Sequence, residues 1–275
     1  MPTHQNRIDR VFAEARTSGR AALLVYLTAG YPDAAASRSI LSAIAAEAPL
    51  VDLLEWGIPF SDPIADGPVI QRASTVALNG GMTLDLALSM LAEFRALDDA
   101  TAAILFGAVN PFLARGYEAF AIRAASAGAD GVLAADVPVE EAAPLRGHCL
   151  ANGLHLISLV APTTPTERAA RIADASSGFL YCIARKGVTG AQRAGGGDAA
   201  EYLARLRHAT ALPLALGFGI STPEHVAAAT AAGADGVVVG TAVIQEIDRA
   251  RDAGEDVPSA VVRFLRSLRE ATARG

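Results

Sequence analysis

Three carboxylates fall close together in LLEWGIPFSDPIADGP, Leu53–Pro68: Glu55, Asp62 and Asp66. Glu55 interrupts an apolar run, Val51–Trp56, that reads as a buried strand and breaks at Gly57 and Pro59 into a turn-rich loop. An ionised carboxylate inside such a run is costly unless it is paired or functional. Strand alternation puts Leu53, Glu55 and Gly57 on one face, with Leu54 and Trp56 on the other. A carboxylate at the C-terminal end of a parallel strand, followed by a loop, is where α/β barrels place their chemistry. The competing reading is a Glu neutralised by a buried Lys or Arg.

Two further stretches have the makings of a binding site. The runs GFGIST (Gly217–Thr222) and VVVGTA (Val237–Ala242) end the seventh and eighth strand candidates in small residues. Backbone N–H groups there can approach an anion, and a following helix N-terminus adds a favourable dipole, as in barrels that hold a phosphate at this pair of loops. After the sixth strand comes RKGVTGAQRAGGGD (Arg185–Asp198), a glycine-rich loop long enough to cover the barrel mouth, with Lys186 and Arg193 able to attract an anion. Tyr181 shares parity with Phe179 and Ile183 and is either a core aromatic or a ligand contact. No Ser-His-Asp order, metal-ligand spacing or strand-end lysine is present, and His4, His148, His155, His208 and His225 are scattered. The residues favour acid–base chemistry on a phosphorylated small molecule, with no metal and no covalent intermediate.

The elements that must position these groups repeat along the chain. Ile8, Val11, Phe12 and Ala15 mark an N-terminal amphipathic helix. Eight strand candidates follow: Ala22–Leu27, Val51–Trp56, Ala103–Ala108, Gly131–Ala135, Leu156–Val160, Phe179–Ala184, Leu212–Gly217 and Gly236–Val239. Alanine-rich helical stretches such as Leu84–Leu97, Tyr117–Ala127 and Ala199–His208 alternate with them. Thr164–Glu167 and Ser221–Glu224 have capping-box spacing. AGADGV occurs twice, at Ala127–Val132 and Ala232–Val237, with Gly stopping a helix and Asp-Gly making a turn. The pattern predicts a single (β/α)8 barrel over residues 1–275, an α/β fold with an N-terminal helix and additional helices after strands two and eight. A net charge of −6 without a basic cluster argues against nucleic acid, and no run is long enough to span a membrane. Cys149 and Cys182, with a polar N-terminus, suit reduced thiols in a cytoplasmic protein.

Together these motifs resemble the alpha subunit of tryptophan synthase. The likeness runs through YLTAGYPD (Tyr26–Asp33), LLEWGIPFSDPIADGP, Asn110-Pro111, VLAADVPVEE (Val132–Glu141), APTTP (Ala161–Pro165), RKGVTGA, GFGIS and VVVGTA. It implies retro-aldol cleavage of indole-3-glycerol phosphate to indole and glyceraldehyde 3-phosphate. By that resemblance Glu55 is the acid/base at the indole C3, and Asp66 binds the indole N–H. Gly190, Gly219, Gly240 and Thr241 contact phosphate, and Tyr26, Leu133, Tyr181 and Phe218 form the pocket wall. Arg185 and Thr189 belong to the lid. Pro59 and Asp62 meet a beta subunit within an α2β2 heterotetramer, and that subunit carries the pyridoxal phosphate. Trp56 and Ala108 depart from the family, whose members usually carry an aliphatic residue and often a tyrosine there. Gly195–Gly197 suggests a looser lid. Another phosphate-binding barrel of aromatic amino-acid metabolism, or a regulatory subunit without turnover, are the alternatives.

Overall fold

The computed structural model describes residues 6–64, 66–183, 196–217 and 219–274. Its strands are β1 (Ala22–Thr28), β2 (Leu53–Gly57), β3 (Ala102–Gly107), β4 (Gly131–Ala134), β5 (His155–Leu156), β6 (Ser158–Val160), β7 (Leu180–Ile183), β8 (Leu214–Gly217) and β9 (Gly236–Val239). Every pairing is parallel, in the order β5-β4-β3-β2-β1-β9-β8-β7-β6. That order returns on itself, because Ile157 alone separates β5 from β6. The two are one broken fifth strand, whose first part registers with β4 and whose second part registers with β7. The expected barrel is present, with the fifth strand split where it changes neighbours.

Helices α1 (Arg7–Thr17), α2 (Ala34–Ala46), α3 (Pro68–Asn79), α4 (Leu84–Leu97), α5 (Val109–Leu113) and α6 (Tyr117–Ser126) belong to the first half. Helices α7 (Ala143–Ala151), α8 (Thr166–Ala175), α9 (Gly196–Arg207), α10 (Pro223–Ala231), α11 (Thr241–Asp252) and α12 (Val257–Glu270) complete the second. The additional helix after the second strand is α3, and the tail after β9 supplies α11 and α12. Trp56 points outward, as alternation requires, and its indole N–H donates to the Ala87 carbonyl of α4 at 2.9 Å. Inward-facing Leu24, Tyr26, Leu53, Ile104, Phe106 and Leu133 form a separate apolar layer within the barrel.

Helix α1 closes the floor of that layer. Its buried face is Ile8, Val11, Phe12 and Ala15, the set that helical spacing selects, and Asn6 caps it by accepting from the Ile8 N–H. The Phe12 and Phe179 rings lie 5.3 Å apart. Glycines at the strand starts make room for it. A Cβ at Gly131 would come within 3.1 Å of Ile8 Cδ1, and one at Gly236 within 3.0 Å of Phe12 Cε1.

The repeated AGADGV is therefore not what its spacing suggests. Gly128 and Gly233 do stop helices at positive φ, 85° and 94°. Asp130-Gly131 and Asp235-Gly236 make no turn. Each aspartate instead locks the foot of its strand to a neighbour: Asp130 accepts from the Ala103 N–H at 2.8 Å, and Asp235 from the Leu214 N–H at 2.8 Å. Asp52, before β2, does the same to Leu23 at 2.7 Å. Arginines neutralise all three: Arg20 and Arg269 on Asp52, Arg7 and Arg95 on Asp130, and Arg207 and Arg274 on Asp235.

Both expected capping boxes shift. Helix α8 is preceded by Pro165 with no side-chain cap, and Thr164 Oγ1 instead accepts from the Ala161 N–H at 3.1 Å, tightening the loop. At α10 the cap is Thr222 rather than Ser221, because Pro223 takes the first helical position; Thr222 accepts from the His225 N–H.

Candidate active site

The strand register sets Tyr26 of β1 directly beside Glu55 of β2, and both face the barrel interior. Glu55 is 1% exposed. Among the described residues its Oε1 has no hydrogen-bond partner, and no Lys, Arg or His forms an ion pair with it. Burial without a counter-charge pushes its carboxyl up to about 8. The competing reading, a carboxylate saturated by a buried cation, is thereby excluded for the described residues.

Asp66 lies just before α3 and is half-buried. Its carbonyl accepts from Gln71 Nε2 at 2.9 Å, which ties the loop to the first turn of the helix. Burial raises its carboxyl to about 6, less than for Glu55. The two carboxylates both act on the hydroxyls of Tyr26 and Tyr181, which burial above all, then this negative field, holds protonated. One of the pair is thus disposed to hold a proton near neutrality and the other to release it.

Glycines seat the two tyrosines. The Tyr26 hydroxyl fills the space a side chain at Gly57 would need, and the Tyr181 hydroxyl does the same at Gly217. Thr28 donates to the Tyr26 hydroxyl at 3.3 Å, and the ring meets Phe106 edge-on at a 5.6 Å centroid separation. Leu133 is fully buried in the same interior layer. A cleft at the C-terminal mouth is lined by Tyr26, Ile58, Phe60, Asp66, Ala108 and Asp136, among others. Glu55, 1% exposed, does not line it. Sequence reasoning missed Asp136, although it lies inside the VLAADVPVEE run: its carboxylate accepts from the Val109 N–H at 2.8 Å and fixes the short α5 beside the cleft. The seats at Gly57 and Gly217 were also missed, and their only signal was a glycine inside each strand.

Gly219 has φ +80°, a conformation that favours glycine, in the loop after β8. Gly240 precedes α11, Thr241 opens it and is exposed, and no side chain caps this helix. It shares this with α3, α5, α6, α7 and α8, whereas α2 and α10 are capped by Asp33 and Thr222. An uncapped N-terminus leaves N–H groups free for an anion. Arg185, Lys186, Thr189, Gly190, Arg193 and Phe218 lie outside the described residues, as does most of the expected lid. Of the two expected contact positions, Asp62 is exposed but Pro59 is buried, because it follows directly on the strand end; Ile64, 85% exposed, is the apolar residue that this loop presents.

A closed parallel barrel with unlike carboxylates at its C-terminal mouth, above a floor of neutralised ones, defines an α/β-barrel enzyme. The particular family follows from comparison with known proteins. Residues 12–273 match the family model "Tryptophan synthase alpha chain". The tryptophan synthase alpha chain of Caulobacter sp. (strain K31) is 46% identical over 97% of this chain and 96% of that protein. That of Nitrosococcus oceani is 43% identical over 97% of each. The crystal structure of the alpha chain from Legionella pneumophila subsp. pneumophila superposes with a TM-score of 0.88 at 36% identity, covering 97% of both chains. This chain belongs to the tryptophan synthase alpha chain family. Its function is the one the resemblance implied, cleavage of indole-3-glycerol phosphate to indole and glyceraldehyde 3-phosphate in tryptophan synthesis.

Proposed function

We propose that the chain is a carbon–carbon lyase in which Glu55 carries the proton and Asp66 holds the indole nitrogen. The observation that supports this most is Glu55 itself, buried, lacking any ion-pair partner among the described residues, and set beside Tyr26 at the site. Glu55 delivers its proton to C3 of the indole ring. The bond from C3 to the side-chain carbinol carbon then breaks, and its electron pair returns to the ring. The carbinol hydroxyl gives up its proton as it becomes the aldehyde, and Glu55 takes that proton back. Asp66, as a carboxylate, accepts a hydrogen bond from the ring N–H and stabilises the positive charge that C3 protonation puts on the nitrogen. Protons and electrons balance within substrate and Glu55, so the step needs no metal or cofactor.

The uncapped start of α11 and the loop at Gly219 suit the substrate phosphate, with Gly240 and Thr241 at the helix end and Gly190 on the lid. Tyr26, Leu133, Tyr181 and Phe218 enclose the indole, and Arg185 and Thr189 close the lid over it. The partner proposed for the loop bearing Asp62 and Ile64 is a beta subunit, in an α2β2 heterotetramer, with the pyridoxal phosphate on that subunit. A structure titled tryptophan synthase from M. tuberculosis superposes at a TM-score of 0.86 and 30% identity, which supports a shared assembly.

The test is direct. The purified chain, given indole-3-glycerol phosphate, releases indole, and kcat/KM traces a bell with limbs near the raised values of Asp66 and Glu55, about 6 and about 8. Absence of indole release by the folded chain, alone and with a beta subunit, contradicts the proposal.

A further inference from the structure

Outside the barrel mouth, three side chains from three different loop–helix segments converge. The Tyr31 hydroxyl donates to Asp248 and accepts from Arg72 Nη1 at 2.9 Å. Arg72 Nη2 bonds the other oxygen of Asp248, and its guanidinium lies 5.9 Å from the centre of the Tyr31 ring. Each member touches the other two, and exposed Arg251 of α11 stands 3.7 Å from Asp248. Tyr31 is 2% exposed, so the cluster reaches from the surface into the wall.

What these residues are attached to is more telling than what they are. Arg72 sits in the first turns of α3, and the preceding residue, Gln71, holds the Asp66 carbonyl at 2.9 Å. Asp248 lies on α11, two turns beyond the Gly240–Thr241 end. Tyr31 follows β1, its N–H donating to the Thr28 carbonyl at 3.1 Å, and Thr28 holds Tyr26. One end of the substrate is assigned to Asp66 and the other to the start of α11, so the distance between α3 and α11 is the span the substrate must fit.

We propose that Tyr31, Arg72 and Asp248 form a clasp that sets the separation between Asp66 and the phosphate-binding end of α11. These are positioning residues, and the inference rests on the reading of Asp66 and α11 given above. A rigid link matters here because a misplacement of roughly 1 Å can cost on the order of 10² in rate. It matters only for a molecule that touches both ends.

That last point supplies the test. Two ligands are titrated against the parent chain, Arg72→Gln and Asp248→Asn: an indole joined to a phosphate by a three-carbon chain, and glyceraldehyde 3-phosphate, which carries the phosphate alone. In folded variants the spanning ligand is expected to weaken about tenfold and kcat to fall by about as much, while the short ligand changes less than about twofold. The double variant is expected to be no worse than either single one, because the clasp is lost as a unit. Equal weakening of both ligands, or parental kcat and parental affinity for the spanning ligand, overturns the inference. Indole release by the parent chain is measured alongside. Its absence overturns the proposed reaction and the inference with it, whereas its presence with unmoved variants overturns the inference alone.

Discussion

The two ends of the barrel treat the same functional group in opposite ways. At the N-terminal end, buried Asp52 and Asp130 and partly buried Asp235 each meet a strand N–H and arginine side chains. At the C-terminal end, Glu55 is buried and its Oε1 has no hydrogen-bond partner among the described residues. Burial is costly in both places, but at the foot arginines and strand N–H groups act against that cost, whereas at the mouth no cation among the described residues does. The difference teaches that burial alone does not mark a catalytic carboxylate. What marks it is burial left uncompensated on the interior side of a strand's C-terminal end.

The sharpest way to break that contrast is Glu55→Gln. It keeps the shape and removes the exchangeable proton, so single-turnover cleavage is expected to fall by about 10² to 10⁴ while the fold is kept. Near-parental rates in the folded variant would return Glu55 to the ordinary core. The matching change at the foot is Asp52→Ala. It strands Arg20, Arg269 and the Leu23 N–H, and is expected to cost about 3–5 kcal/mol in denaturant unfolding, with cleavage per folded molecule unchanged. Loss of activity without loss of stability would erase the distinction between the two ends.

The mouth carboxylate also leaves a mark on stability. The Glu55 carboxyl is raised in the fold from 4.5 to about 8. The unfolded chain therefore ionises first, so stability due to this group falls as pH rises from about 4.5 and levels off above about 8. Each unit of that gap is worth about 1.4 kcal/mol, so the total is on the order of 5 kcal/mol. Glu55→Gln is expected to remove this slope, so that the variant gains on the parent as pH increases. Parallel stability–pH curves for the two proteins would contradict it. The smallest effect concerns the tyrosine seats. Gly217→Ala puts a methyl where the Tyr181 hydroxyl lies, and is expected to cost about 1–3 kcal/mol and raise KM a few-fold. An unchanged KM would remove Tyr181 from the substrate pocket.

Much of this was legible where the signal is local. Helix α4 and strand β9 have the bounds that the residue pattern predicts, because apolar periodicity and flanking turn residues lie within a few positions. Glu55 was legible because a lone carboxylate in an apolar strand is itself the anomaly. The clamps were not, since Arg7, Arg20, Arg269 and Arg274 reach them from the two chain ends and no spacing records such a meeting. For the same reason AGADGV read as a turn, when its aspartate is committed to a different strand. Thr164 and Ser221 failed as caps because several nearby backbone groups compete for one hydroxyl, and spacing cannot say which wins. Tyr31, Arg72 and Asp248 are each unremarkable in sequence, and only the folded barrel brings them together.

Helix α1, the plug beneath the barrel, has a consequence for how the chain is made. It is made before every strand of the barrel, and among the partners of its apolar face are Gly131, Phe179 and Gly236, the last of these more than 200 residues further on. At about 5–20 residues per second, Ile8 and Phe12 wait roughly 10 to 45 s before the final wall of their socket exists. During that interval the nascent chain carries an uncovered amphipathic helix, which is a natural substrate for chaperones that grip apolar segments.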